Sequence, residues 1–159
     1  MQNEGAKDLI DPESGVVIDN AFGRAEALIE HIEAVRGTVV LPAPVVAEYL
    51  MGIDRSVYQT HLDILGGTKS IEVASFDQLA AVECAMLLSN QEMKMLDPDS
   101  KMAKLKYDRQ ILAIALANGA KQLWTHDQQL FKRANAAGLT AKSLASITPK
   151  PKQLNLPES

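Results

Sequence analysis

The strongest constraint in this sequence is the alternation of short apolar runs, rich in β-branched residues, with longer segments of helical periodicity. The apolar runs are short and end at prolines or polar turns, so they predict strands rather than buried helices. Strands that are separated by helices pair in parallel, and such sheets are covered on both faces. The pattern therefore predicts a three-layer α/β fold, a parallel sheet with helices on both faces.

The predicted elements follow a strand–helix order along most of the chain. They are helix 21–35, strand 38–41, a helix from Pro44 to Met51, helix 57–65, strand 71–74, a long helix that Ser75 caps with Gln78, helix 107–118, strand 122–124, a helix that Thr125 caps, and strand 140–144.

The length of the chain limits it to one core. A chain of 159 residues with 47% hydrophobic residues can bury one domain, and no repeat or linker divides it. We expect a single domain over residues 1–147 and a flexible tail over residues 148–159, where apolar content is low.

There is no run of 18 apolar residues and no signal-peptide pattern, which predicts a cytoplasmic protein without a membrane partner. The single cysteine, Cys84, excludes a disulfide framework.

Charge is unevenly distributed along the sequence. The net charge is −4, yet residues 99–159 contain ten Lys and Arg against four Asp and Glu, while residues 1–98 contain six against sixteen. This asymmetry permits a cationic face for a polyanion beside an acidic region. The alternative is that these lysines cover solvated helix faces.

Three carboxylates stand where ligands gather in α/β proteins, at the carboxyl edge of a parallel sheet. They are Glu48, Asp108 and Asp127. Each one alone has a structural explanation. Glu48 can occupy the polar side of its helix, Asp108 can pair with Lys104 one turn earlier, and Asp127 can stabilise the positive end of a helix dipole.

Carboxylates that converge on one cleft repel each other unless a cation lies between them. Hard oxygen ligands suit Mg²⁺ or Mn²⁺, which can activate water for attack on a phosphodiester. The sequence therefore favours phosphodiester hydrolysis. Basic side chains of the C-terminal half are candidates for phosphate contacts: Lys101, Lys104, Lys106, Arg109, Lys132 and Arg133.

Three segments together resemble the PIN domains, which include the VapC-type toxin ribonucleases. Residues 40–50 are similar to the family's second strand and glutamate-bearing helix, and residues 107–115 to its D-x-x-I-x-A-x-A helix. Residues 123–131 are similar to its strand followed by T-x-D-x-x-F. The resemblance extends over residues 11–144, which is nearly the whole chain.

The resemblance implies a metal-dependent endoribonuclease that hydrolyses single-stranded RNA. Glu48, Asp108 and Asp127 would be its catalytic residues and its ligands for Mg²⁺ or Mn²⁺. The expected substrate contacts are Thr125, Lys104, Lys106 and Arg109. An antitoxin protein and a second copy of the chain are the further partners that the resemblance suggests.

The chain departs from the family pattern at its N-terminal end. That pattern starts with an apolar strand ending in Asp-(Thr/Ser)-Asn, and the nearest match, residues 16–20, runs straight into helix 21–35. We expect the matching strand to lie upstream of Met1, unless Asp19 or Asp11 supplies the missing acid. A catalytically impaired PIN-like module that binds protein or RNA is therefore the alternative function. An unrelated α/β domain, whose acids are caps and ion-pair partners, is the second alternative.

Overall fold

The computed structural model describes residues 8–151, which contain seven α-helices and four β-strands. The helices are α1 (Ala21–Ala34), α2 (Ala43–Met51), α3 (Tyr58–Gly67), α4 (Gln78–Met86), α5 (Asn90–Leu96), α6 (Met102–Ala117) and α7 (Gln128–Ala136). The strands are β1 (Val39–Pro42), β2 (Ile71–Ala74), β3 (Gln122–Trp124) and β4 (Thr140–Lys142). Short 3-10 helices occupy Arg55–Val57 and Leu144–Ser146. The expectations for residues 1–7 and 152–159 lie outside the described residues.

The strands pair in parallel, which confirms the predicted α/β fold. β1 pairs with β2, with Val39 opposite Ile71, and β3 pairs with β4, with Gln122 opposite Thr140. Within residues 8–151 the sheet is divided into these two pairs, and no ladder joins β1 to β3. Each strand of the described region therefore keeps one edge without a strand partner.

Helix α6 joins the two strand pairs through its buried side chains. Leu112 is fully buried in a cluster that includes Leu123 of β3 and Ala141 of β4. Ile114 is also fully buried, in a second cluster with Ala74 of β2 and the first turn of α4. Because α6 contributes to both clusters, it holds the strand pairs in one structure. None of the helices within residues 8–151 combines the length and apolar character needed to cross a membrane.

The prediction of one long helix capped by Ser75 was wrong. Two helices, α4 and α5, occupy this region, and the N-cap of α4 is Asp77, whose side chain accepts from the Ala80 amide. A capping box begins α5, because the Ser89 hydroxyl accepts from the Glu92 amide while the Glu92 carboxylate accepts from the Ser89 amide. Such a box satisfies the free amides of a helix start and so favours a new helix here.

Helix α6 begins five residues earlier than the sequence pattern predicts, at Met102 rather than Tyr107. The additional turn buries Leu105 completely, one heptad before Leu112. As a result Asp108 lies in the second turn of α6 and not near its start. The first-turn position expected for this carboxylate was therefore wrong.

The segment before α1 is attached to the end of the sheet by Asp11. One carboxylate oxygen accepts from the Ser143 hydroxyl at 2.6 Å, and the other accepts from the Ser14 hydroxyl at 2.6 Å. These bonds from Ser14 and Ser143 lower the pKa of Asp11 to about 2. The carboxylate thus links an N-terminal turn to the residue that follows β4.

We predict that Leu112→Ala lowers the free energy of unfolding by about 2–5 kcal/mol, because it opens a cavity where α6 meets β3 and β4. Urea denaturation measures the loss. Leu79→Ala is the matched control, since Leu79 is 64% exposed on α4, and it should change the same quantity by less than about 0.5 kcal/mol. Equal losses in the two variants would contradict the assignment of α6 to the core.

We predict that Asp11→Asn destabilises the fold at pH 7 and that the difference from the parent chain disappears in acid. The folded-state pKa of Asp11, about 2, is below its ordinary value of 3.8. Its carboxylate therefore contributes stability above the ordinary value, and this contribution is lost as the pH falls through about 2. Thermal unfolding across this pH range measures the effect. Glu13→Gln, an exposed change in the same turn, should show no comparable pH-dependent loss.

Candidate acidic site

Asp108 is fully buried on α6 and is neutralised by two cations. The Lys104 ammonium, one turn earlier, donates to Oδ1 at 2.8 Å, and the Arg133 guanidinium of α7 donates to Oδ2. Arg133 is fully buried as well, and its second terminal nitrogen donates to Ser100 Oγ at 2.6 Å. A buried carboxylate needs such partners, because an unpaired charge is costly away from water.

Lys104 bridges two of the predicted site residues. Its Nζ lies 2.8 Å from Asp108 Oδ1 and 2.7 Å from Asp127 Oδ2. Burial lowers the pKa of Lys104, but the hydrogen bonds and charges of the two carboxylates outweigh this and raise it above the ordinary value. The structure therefore brings Asp108 and Asp127 together around one ammonium group.

Asp127 is the N-cap of α7. Its Oδ1 accepts from the Leu130 amide at 2.9 Å, while the Thr125 hydroxyl accepts from the amide of Asp127 itself. The expectation that Thr125 caps this helix was wrong, because the helix starts at Gln128 and its free amides face the Asp127 carboxylate. Burial raises the pKa of Asp127, but the bonds from Lys104 and Leu130 bring it below the ordinary value.

Glu48 lies on the exposed side of α2. Within residues 8–151 it forms no hydrogen bond or ion pair with Asp108, Asp127 or Lys104, and its charge acts on the neighbouring Tyr107. Burial raises the pKa of the Tyr107 phenol, and the negative charges of Glu48, Asp108 and Asp127 raise it further. The three predicted acids therefore act on one phenol. Within residues 8–151, the buried Tyr107 Oη has no hydrogen-bond partner.

The other predicted substrate contacts differ in their surroundings. Lys106 is exposed, and Thr125 is half-buried beside Asp127. The guanidinium of Arg109, by contrast, donates to the carbonyl oxygens of Cys84, at 2.6 Å, and Leu88. Arg109 thus fastens the connection between α4 and α5 to α6.

Neither alternative for the missing first acid contacts the group around Lys104. Asp19 is 84% exposed and pairs with Arg24 of α1 at 2.8 Å. Asp11 bonds to Ser14 in its own turn and to Ser143, which follows β4, and its charge acts on His126. Burial lowers the pKa of His126, an effect that Asp11 partly offsets.

The role of Arg133 was not predicted from the sequence, which offered it as a phosphate contact. The sequence does contain a pattern that indicates burial of Arg133, since it shares helical spacing with Leu130 and Ala134, both of which are buried. A basic residue on the apolar side of a helix needs a buried acid. In this structure that acid is Asp108.

Two observations bear on whether a divalent cation fits this centre. The Lys104 ammonium is a stand-in cation between two carboxylates, and its Nζ lies 5.6 Å from the centre of the Tyr107 ring. Across the part of the chain that the structure describes, however, no group of three or more His, Cys, Asp or Glu is placed to hold a metal ion. One oxygen each of Asp108 and Asp127 could therefore bind a hard cation in place of the ammonium. Glu48 would have to move closer to become a third ligand.

Comparison with known proteins gives one match. The family model described as PIN domain matches residues 16–137, which is more than three quarters of the chain. No curated protein and no solved structure matches it.

We predict that Arg133→Met destabilises the fold by about 3–5 kcal/mol, because it leaves part of a buried carboxylate charge uncompensated. Lys132→Met is the matched control, since Lys132 is the exposed neighbour on the same helix, and it should change stability by less than about 0.5 kcal/mol. Chemical denaturation measures both. If the Arg133 variant were as stable as the control, the ion pair with Asp108 would not hold α7 on α6.

Proposed function

Because the chain belongs to the PIN domain family, we propose that it is an endoribonuclease that hydrolyses single-stranded RNA at the centre formed by Glu48, Asp108 and Asp127. PIN domains are generally nucleases and bind nucleic acid. The observation that carries the proposal is the shared contact of Lys104 Nζ with Asp108 Oδ1 and Asp127 Oδ2. Carboxylates of two separate helices meet at one cation position, which is unexpected if each serves only its own helix.

Nucleases of this family generally use divalent metals. Asp108 and Asp127 would hold Mg²⁺ or Mn²⁺ in place of the ammonium, and Glu48 would join them from α2. When bound, the metal supplies an activated water and stabilises negative charge on the phosphate. Its ligands are the hard oxygen atoms that both ions prefer.

Arg133 and the Leu130 amide orient the two acids toward the shared cation position. Arg133 holds Asp108 Oδ2, which leaves Oδ1 directed at the shared cation position. Asp127 Oδ1 is occupied by the Leu130 amide, so Oδ2 is the oxygen directed at the same position. Each acid thus offers one oxygen. The exposed Lys106 is available for contact with RNA phosphates.

A second candidate function is RNA binding without cleavage. It is favoured by the neutralisation of Asp108, whose two oxygens already have cationic partners. A domain of this kind would use its exposed basic side chains on the RNA backbone and would need no metal.

The motif resemblance supports three further parts of the proposal. These are a toxin-type role in the cytoplasm, an antitoxin protein as partner, and self-association into a homodimer. Each of them remains a prediction, to be tested by co-expression with neighbouring genes and by measurement of mass in solution.

We predict that the purified chain cleaves single-stranded RNA in the presence of Mn²⁺ or Mg²⁺ and that Asp127→Asn lowers the rate by at least about 100-fold. Asparagine caps a helix as well as aspartate does, so this change removes the charge and keeps the fold. Asp63→Asn, an exposed change on α3, is the control and should cleave at the parent rate. Gel analysis of a labelled oligonucleotide measures the rates.

Three outcomes decide between the functions. Loss of cleavage in the Asp127 variant alone supports the nuclease. Equal cleavage by both variants would place the activity outside this centre. Binding of RNA that weakens with salt, without cleavage under any metal, would favour the binding module.

A further inference from the structure

We propose that the Lys104 ammonium is a built-in competitor of the divalent cation, so that metal enters the centre only by displacing it from Asp108 and Asp127. The inference rests on the proposed function and adds a residue that sets how tightly the centre binds metal. It rests on the contacts of Lys104 Nζ with the two acids and on the unequal burial of Lys104 and Arg133.

Lys104 occupies the one oxygen of each acid that faces the shared cation position. Nζ donates a hydrogen bond to Asp108 Oδ1 at 2.8 Å and forms an ion pair with Asp127 Oδ2 at 2.7 Å. The remaining oxygens of both acids bond to Arg133 and to the Leu130 amide. A cation that binds both acids therefore competes with the ammonium directly.

Lys104 can leave the two acids, whereas Arg133 is held in the core. The Arg133 side chain is 0% exposed and is held by Ser100 as well as Asp108. The Lys104 side chain is 31% exposed, and its Nζ also lies over the Tyr107 ring, 5.6 Å from the ring centre. A lysine stem is flexible and its ammonium is readily hydrated, so it can move to solvent without unfolding α6.

A divalent ion bound to the same two oxygen atoms would lie close to the ammonium, and the two cations would repel each other at that distance, so each weakens binding of the other. Without either cation, Asp108 and Asp127 repel each other. Lys104 therefore stabilises the metal-free centre, and the same contact weakens metal binding.

The test is Mn²⁺ binding by isothermal titration calorimetry, without RNA, for the parent chain and Lys104→Gln. We expect Lys104→Gln to bind Mn²⁺ about tenfold more tightly, because the competitor is removed. Lys104→Arg, which keeps a cation, should bind weakly like the parent. Lys121→Gln, an exposed change beyond the end of α6, is the control and should match the parent.

Thermal unfolding gives a second measurement that also reports whether each variant folds. In a chelator, Lys104→Gln should melt at a lower temperature than the parent, and added Mn²⁺ should raise its melting temperature more than that of the parent. A variant that is unfolded in the chelator but folds with Mn²⁺ would support the inference as well.

The possible results separate the two claims. Equal Mn²⁺ affinity in the parent and Lys104→Gln would overturn the inference and leave the proposed nuclease intact. Tighter binding by Lys104→Gln with no RNA cleavage by either chain would support the inference and overturn the nuclease. Absence of Mn²⁺ binding in both would overturn the inference and remove the metal from the proposed function.

Discussion

The need to neutralise a carboxylate in the core governs how this fold is assembled. Asp108 is fully buried on α6, and its partner Arg133 is fully buried on α7, so neither charge is stable without the other. The pair fixes the position of α7 against α6, and the start of α7 in turn places Asp127 beside Lys104. An ion pair inside the core thus determines where an acidic centre can form at the surface.

The same helix explains how a sheet in two parts supports one structure. Side chains of α6 pack against the β1–β2 side through Ile114 and against the β3–β4 side through Leu112. Within residues 8–151 no strand pairs with the free edge of β1 or of β3. Of the three predicted acids, Asp108 and Asp127 meet at Lys104, whereas Glu48 lies on the exposed side of α2.

Periodicity and turn residues predicted the strands well, because a β-branched run that ends at a proline, as Val39–Pro42 does, has few alternative structures. Helix starts were predicted less well. Competition between nearby caps, as between Ser75 and Asp77, is decided by which carboxylate or hydroxyl reaches a free amide, and that depends on the turn before the helix. For the site, spacing identified the acids, but the partner of Asp108 lies 25 residues away on another helix. Local sequence patterns do not report such distant pairs.

The structure also changes the meaning of the positive C-terminal half. Its excess of lysine and arginine suggests a surface for a polyanion, yet Lys104, Arg109 and Arg133 all donate to groups within the protein. Basic side chains that are already paired contribute less attraction toward a phosphate backbone than free ones. Any RNA contact therefore depends on the exposed members of the set, such as Lys106 and Lys132 on the two helices that carry Asp108 and Asp127. Part of the positive charge in the C-terminal half thus stabilises the fold, and only the exposed basic side chains are available to a ligand.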